Sequence, residues 1–342
     1  MKSKFSLLLT LCLILFTVET NLQAAYTFKN GRLVDVCEAP TMSAQGHFEA
    51  GAIAYAESNW HEAVFHFTIV TTNYPSSSYG QEAFYFLGVS HYFCQEYDFA
   101  NCAFTEYLKV QGNPRYFQST VEFKFSIAEQ LNAGAKRRVL GSKKMPKWAC
   151  GLSLALEIYD EVIAAVPCSD LAAKALISKA CLQWRLQNYR PAIDSLQMVI
   201  RRFPKYESTP DCYLYIGKIY LEQSRFEFQN SDIIAFAHIN LRKFERDFPR
   251  EERLCEALDD VKSIKEIYAD GLYQTGRFYE RKCQPRAAMI YYNDAIRQFP
   301  DTCVADACRR RMLRLNPSYC EATATVTGES PIEEEFDVDV NL

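Results

Sequence analysis

Small and apolar positions recur along this chain at one fixed spacing. Gly51, Ala63, Phe67 and Pro75 set it. Ala180, Ala192, Leu196 and Pro204 repeat it, as do Gly276, Ala288, Tyr292 and Pro300. Apolar residues between these landmarks return every three or four positions, the period of an amphipathic helix. Each landmark has a physical role. The small residue lets a first helix approach a second, the large apolar residue fills the gap between them, and the proline ends the second helix. Leu87-Gly88, Ala100 and Phe104 keep the first two intervals, and the terminator slips to Gly112-Asn113-Pro114.

Two further pairs are interrupted. The third predicts a helix over about 117–133, with Val121, Phe125, Ala128 and Leu131 apolar, and another over about 149–166, with Ala155, Tyr159 and Val162 before Pro167. The fifth carries Ile216-Gly217 and Tyr220, an insertion around 223–232, then Ala237, Leu241 and Pro249. The run 251–268 has no breaker, and its apolar residues Leu254, Leu258, Val261, Ile264, Ile267 and Tyr268 predict helix continuing into the sixth pair. Residues 304–315 read as a capping helix with Arg309-Arg310-Arg311 on one turn. Six two-helix units of roughly 34 residues are the spacing of the tetratricopeptide (TPR) repeat. The expected fold is all-α, an α-solenoid of about six TPR repeats with a C-terminal capping helix. The domains read as 1–25 signal peptide, 26–43 leader, 44–135 N-terminal repeats, 136–148 basic insertion, 149–315 C-terminal repeats and cap, and 316–342 acidic disordered tail.

Repeat phase points certain first-helix residues toward the concave face of such an array. In the first two repeats these are Phe48, Tyr55, Tyr85, Tyr92 and Phe93, an aromatic trough expected to form a peptide-binding groove. In the fourth to sixth they are Lys174, Trp184, Arg185, Lys218, Glu222, Tyr273, Arg277 and Arg281, of which Tyr273, Arg277 and Arg281 form the expected partner-docking face. Aromatics at helical spacing also serve as core, and that reading stands beside the trough.

Charge adds one feature. The 342 residues carry a net charge of −4, and residues 321–342 hold seven acids with no Lys or Arg, which leaves the rest of the chain at +3. This is no electrostatic footprint for nucleic acid. The N-terminus reads as an export signal, with Lys2 and Lys4 before an apolar run over 5–18 and small residues at Ala24-Ala25, the expected cleavage region. Leu9-Thr10-Leu11-Cys12 approaches a lipobox, but the residue before the cysteine is not small and the apolar run continues past it, so lipidation of Cys12 is disfavoured. Twelve other cysteines are scattered without a C-x-x-C pair, which argues against a zinc or thioredoxin-like motif. Most are expected to be buried small hydrophobes and a minority to pair.

Catalytic material is sparse. His61-Glu62-Ala63-Val64-Phe65-His66 is one residue too long for the H-E-x-x-H zinc motif, which places the two histidines about 140° apart on a helix. No nucleophile elbow, dinucleotide fingerprint or phosphate loop is present. The expectation is no catalytic residue, no metal and no cofactor: a non-enzymatic protein. The basic insertion, Lys136, Arg137, Arg138, Lys143, Lys144 and Lys147, reads either as a contact for phosphates or lipid head groups at a membrane surface or as a solvated loop. Trp148 at its end is expected to start the next helix's core.

Two stretches carry a family resemblance. Asn73-Tyr74-Pro75-Ser76-Ser77-Ser78-Tyr79 followed by Ala83 resembles the P-x-S-x-Y-x-x-x-A junction of the BamD (ComL/YfiO) family. Tyr279-Glu280-Arg281-Lys282, Ala287-Ala288 and Phe299-Pro300-Asp301-Thr302 resemble that family's last repeat. The similarity covers about residues 44–313. The resemblance implies a TPR lipoprotein scaffold of the outer-membrane β-barrel assembly (BAM) machinery, at the periplasmic face of the outer membrane. It would bind an insertase subunit and the C-terminal segments of unfolded outer-membrane protein clients. The missing lipobox, the many cysteines, the basic insertion and the acidic tail depart from the family. The other expectation, of a different class, is a periplasmic chaperone or adaptor for secreted or cell-wall proteins.

Overall fold

The computed structural model describes residues 40–109, 114–139, 145–227, 230 and 232–315, and the backbone of 26–29 and 32–35. The signal, Cys12, Lys143, Lys144 and the acidic tail lie outside the described residues. The contacts divide the chain into two compact units, Met1–Pro167 and Cys168–Leu342.

The first unit opens with an antiparallel pair, β1 (Tyr26–Lys29) and β2 (Arg32–Asp35), in register Tyr26↔Asp35. The leader shows no clear periodicity in the sequence, because four-residue strands are too short to reveal one. Helical pairs follow: α1 (Ala44–Ala56) with α2 (Trp60–Asn73), then α3 (Ser78–Phe93) with α4 (Tyr97–Leu108). The third pair is α5 (Phe117–Asn132) and α6 (Leu152–Ala165), separated by a second antiparallel pair, β3 (Lys136–Arg138) and β4 (Lys147–Cys150). The second unit contains α7 (Asp170–Arg185) with α8 (Tyr189–Arg202), and α9 (Thr209–Phe226) with α10 (Asp232–Asp247). It closes with the 28-residue α11 (Leu254–Arg281), α12 (Pro285–Gln298) and the cap α13 (Cys303–Leu315).

The repeat landmarks are a set of complementary volumes. A Cβ placed on Gly51 would come within 2.9 Å of the Phe67 ring, on Gly88 within 2.5 Å of Phe104, and on Gly276 within 2.5 Å of Tyr292. In each case the aromatic stands on the second helix of the same pair and is fully buried. Where the first helix carries Ala180, the residue at the equivalent place on the second is the smaller Leu196. Close packing demands this exchange of volume. The cap completes the last pair by burying Cys308 and Met312 against Ala288, Tyr292 and Ala295.

The turns inside the pairs repeat as well. Ser58, Gln95, Gln187 and Cys283 adopt positive φ of 56–60°. The residue after each donates its N–H back into the last turn of the first helix, as from Asn59 to Ala54 at 2.8 Å and from Gln284 to Tyr279 at 3.0 Å. This left-handed stop satisfies orphan carbonyls at the end of the first helix. In the third pair the same place holds Gly134, φ 109°, and the chain leaves toward β3 instead of starting a helix.

The junction resembling BamD has a local explanation. The Ser77 hydroxyl donates to the Tyr74 carbonyl at 2.8 Å and accepts from the Gly80 N–H at 2.9 Å, capping α3. Tyr79 packs on Phe48 with ring centroids 5.4 Å apart, and Ala83 is fully buried. Thr302 does the same before α13, donating to the Phe299 carbonyl at 2.7 Å and accepting from the Ala305 N–H at 3.1 Å. These motifs are turn and cap chemistry between consecutive repeats.

Candidate peptide-binding site

In the first unit the five trough aromatics form a ladder of rings packed on one another. Phe48 meets the edges of Phe67 and Phe86 at 5.8 and 6.0 Å. Tyr55 meets Trp60 and Phe86 at 5.4 and 5.2 Å. Tyr92 meets Tyr97 and Phe123 at 5.7 and 5.2 Å. Tyr85 stacks on Tyr116 at 4.3 Å and is only 8% exposed. Burial, with neighbouring tyrosines second, pushes the Tyr55 and Tyr85 hydroxyls above their ordinary pKa. Tyr85 is thus core rather than groove lining: the turn before α5 brings Tyr116 over its ring, which helical phase within α3 does not reveal. Phe93, 49% exposed and stacked on Trp60 at 4.4 Å, is the open end of the ladder.

The histidines of the near-zinc motif turn to different partners. His61 Nδ1 lies 3.8 Å from Cys94 Sγ. His66 Nδ1 lies 3.1 Å from Nδ1 of the fully buried His47. His47 Nε2 accepts from the Thr41 and Met42 N–H groups, each at 3.2 Å. That nitrogen is therefore bare, and the proton sits on Nδ1, donated to His66. No group of three or more metal-ligating side chains exists among the described residues.

The described residues of the basic insertion are held in place. Glu96, the residue immediately before α4, holds Arg138 at 2.6 Å and Lys147 at 3.1 Å. Lys147 Nζ also donates to the Gln95 carbonyl at 3.1 Å, and the Arg138 N–H donates to Asp98 at 3.1 Å. Burial opposes ionisation of Glu96, but the two cations outweigh it and hold its carboxyl below the usual range. Lys136 stays exposed and Arg137 half-buried. Trp148 is not core: it is 77% exposed on β4. The second helix of the third repeat starts at Leu152 rather than 149, because residues 147–150 pair with β3.

The second unit holds an open recess on the face of its first helices. Trp184 Nε1–H donates to Glu222 at 2.6 Å, and the Tyr189 hydroxyl donates to the other oxygen at 3.2 Å. Lys218 faces Glu256 at 3.6 Å. Trp184, Lys218 and Glu222 bound a recess of about 340 Å³ that also takes in Leu221, Arg225 and Phe226. Arg225 borders a second recess of about 600 Å³, lined by Ile267, Gln274, Phe278 and Tyr279 among others. Phe226 is 67% and Phe278 47% exposed. Arg225 thus borders both recesses, and an arginine so placed can grip a carboxylate by a two-pronged hydrogen bond while apolar side chains cover the exposed rings nearby.

Of the residues singled out by repeat phase, Trp184, Lys218 and Glu222 are brought together here. Lys174, Arg185 and Arg281 do not line either recess. Tyr273 packs on Tyr292 at 5.7 Å, with the Arg277 guanidinium 5.9 Å from its ring centre. Arg225, Phe226 and Phe278 were missed. The first two fall where the spacing predicts an insertion, but α9 runs on to Phe226. An aromatic beside a cation at a helix end was the available signal.

The cysteines also differ from expectation. The ten described cysteines form no disulfide among themselves; seven are exposed, and Cys212 and Cys308 are buried. Cys181 shows why, since one helical step separates it from the buried Ala180 and turns it outward.

The tetratricopeptide-repeat family model matches residues 174–206, which are most of α7 and α8. No curated protein matches the chain. Among solved structures, it is similar to a tetratricopeptide repeat protein from Parabacteroides merdae at 13% identity, covering 80% of this chain and 98% of that one, TM-score 0.34. It is similar at 18% identity to the C-terminal part of a TPR repeat-containing protein from Cytophaga hutchinsonii, covering 81% and 98%, TM-score 0.32. The apo form of RapI aligns at 14% identity over 81% and 76%, TM-score 0.35. The helix pairs and the matched repeat define the chain as an all-α TPR-repeat protein. That class is a protein–protein interaction scaffold, typically without enzymatic activity. No described helix is long and apolar enough to cross a membrane.

Proposed function

We propose that this protein is an exported scaffold of the outer-membrane β-barrel assembly machinery, at the periplasmic inner face of the outer membrane. It holds client segments and an insertase subunit. The observation that carries the reading is the pair of first-helix recesses of the second unit, both bordered by Arg225, the smaller lined by the exposed Phe226 and the larger by the exposed Phe278. That chemistry suits a chain end bearing an aromatic side chain and a carboxylate. The client seat therefore moves from the first two repeats, whose rings are occupied by one another, to repeats four to six. The export-type N-terminus and the two BamD-like stretches support the location.

The binding test is fluorescence anisotropy with a labelled peptide ending in Phe, as free acid and as amide. The free acid is expected to bind several-fold more tightly, and Arg225→Glu to remove the difference. Equal binding by acid and amide would refute the seat. The cellular test is depletion followed by porin measurement in the outer membrane, where unchanged levels would refute the assembly role. Co-purification of secreted or cell-wall proteins without an insertase subunit would favour the chaperone or adaptor reading.

A further inference from the structure

The second helices of repeats four and five, α8 and α10, leave a groove between them that is floored by α9. Its two recesses, about 550 and 350 Å³, share Gln197, Tyr220 and Phe236 and so are continuous. Ile216 and Tyr220 form the floor, and Ile200 one wall. On the other wall Phe236 and Ile239 are 51% and 47% exposed, apolar side chains left facing water. The smaller recess is bordered by Arg201 and Lys243 and by no carboxylate. Asp194 and Asp232 line only the larger one. The first-helix recess, in contrast, includes Glu222 and Asp270. The α8–α10 groove thus combines an exposed apolar wall, Phe236 and Ile239, with a cationic rim at one end.

One segment of this chain has the complementary pattern. Residues 329–342 carry Glu329, Glu333, Glu334, Glu335, Asp337 and Asp339 and no Lys or Arg. From 336 on, Phe336, Val338, Val340 and Leu342 alternate with Asp337, Asp339 and Asn341. A period of two places apolar side chains on one edge of an extended segment and carboxylates on the other. Along α10 the groove runs from Asp232 to Lys243, about 16 Å at 1.5 Å per residue. An extended strand covers that with about five residues. The connection is long enough. Residues 316–335 separate this stretch from α13 and reach about 70 Å at full extension. The longest helix of the unit, α11, is about 42 Å.

We propose that residues 336–342 dock in the α8–α10 groove of their own chain, apolar edge down, with Asp337 and Asp339 against Arg201 and Lys243. The tail is then a built-in competitor for any acidic, apolar segment of another protein seeking this second site. The proposal is independent of the function assigned above, since it uses neither Arg225 nor the first-helix face.

The experiment uses a fluorescein-labelled peptide of residues 329–342, the full chain, and a chain lacking those residues. A tethered segment competes at an effective concentration on the order of 1 mM. A peptide of about 100 µM affinity for the truncated chain is therefore expected to bind the full chain about tenfold more weakly. Binding is expected to fall as salt rises. Arg201→Glu with Lys243→Glu in the truncated chain is expected to abolish it, and Arg225→Glu to leave it unchanged. Both groove cations are exposed, and the milder Arg201→Ala with Lys243→Ala serves if the reversal perturbs the circular dichroism melt. Three results overturn the proposal: no binding to the truncated chain at millimolar peptide, equal binding to both chains, or indifference to the Arg201 and Lys243 changes. A full-length dimer that becomes monomeric on truncation would place the tail in a second copy, and so overturns docking in cis.

Discussion

Gly276→Ala tests the volume exchange on which the repeats rest. The new methyl would lie 2.5 Å from Tyr292 Cε1 and 2.7 Å from its Cδ1, against about 3.5–4.0 Å for a comfortable carbon contact. The ring has to retreat by about 1 Å. It has little freedom, being fully buried, with its hydroxyl donating to Glu280 at 2.8 Å. Glu280 is held in turn by Arg311 of the cap at 3.0 Å. Overpacking of this kind costs about 1–3 kcal/mol, and alanine's better helix propensity returns about 1. The expected net effect is a loss of up to about 2 kcal/mol. Gly217→Ala is the control, because the nearest atom to its new methyl is Asp260 Oδ2 at an ordinary 3.5 Å; there the propensity gain of about 0.5–1 kcal/mol should appear uncancelled. Adding Tyr292→Leu to Gly276→Ala recreates the Ala180–Leu196 pairing and should show a favourable coupling of about 1 kcal/mol or more in a double-mutant cycle. Urea unfolding followed by circular dichroism and by Trp184, the one tryptophan of the second unit, measures every variant beside the parent. If Gly276→Ala gains as much stability as Gly217→Ala, or the cycle shows no coupling, the complementary-volume argument is wrong.

Three further predictions concern the first unit and the thiols. Burial first, and then His66, holds the His47 imidazole below its ordinary pKa. The unfolded chain then binds the extra proton more readily, so stability is full above about pH 6.5 and falls as pH drops toward the depressed folded value. Thermal melts at pH 7.5 and 5.5 should show this loss; His47→Leu should cost about 1–3 kcal/mol at pH 7.5 and flatten the dependence, and a parent melt insensitive to pH refutes it. Glu96→Gln should loosen β3 and β4, seen as faster hydrogen exchange over 136–150, while the parent's tether weakens only as pH falls below the usual carboxylate range; unchanged exchange counts against the ion-pair clamp. In native protein a thiol reagent should label the seven exposed cysteines and spare Cys212 and Cys308, whose thiols burial pushes up to about 12 and about 11; peptide mass spectrometry reads the pattern, and rapid labelling of Cys212 would contradict its burial.

The resemblance to BamD rests on residues whose roles here are local. Ser77, Gly80 and Thr302 cap helices, and Tyr79 and Ala83 pack. Such residues answer to the geometry of a turn between repeats, so they speak to the array more directly than to any partner.

Much of the array was legible because its determinants are local. A glycine facing an aromatic on the next helix, a left-handed stop and a proline terminator are set by spacing along one or two helices. The long α11 and the cap α13 were readable for the same reason: each is an unbroken helical period. What the sequence could not disclose depends on residues far apart in the chain. Tyr85 is buried because Tyr116 arrives over it, the basic insertion is clamped because the distant Glu96 reaches Arg138, and Arg225 borders the larger recess because α9 and α11 pack side by side. Exposed cysteines differ from buried ones by a single helical step, which composition cannot register. The pattern of small and large residues alone determines that the helices pair. Which aromatics remain open to a partner is decided only when the pairs stack, because burial is a property of neighbours.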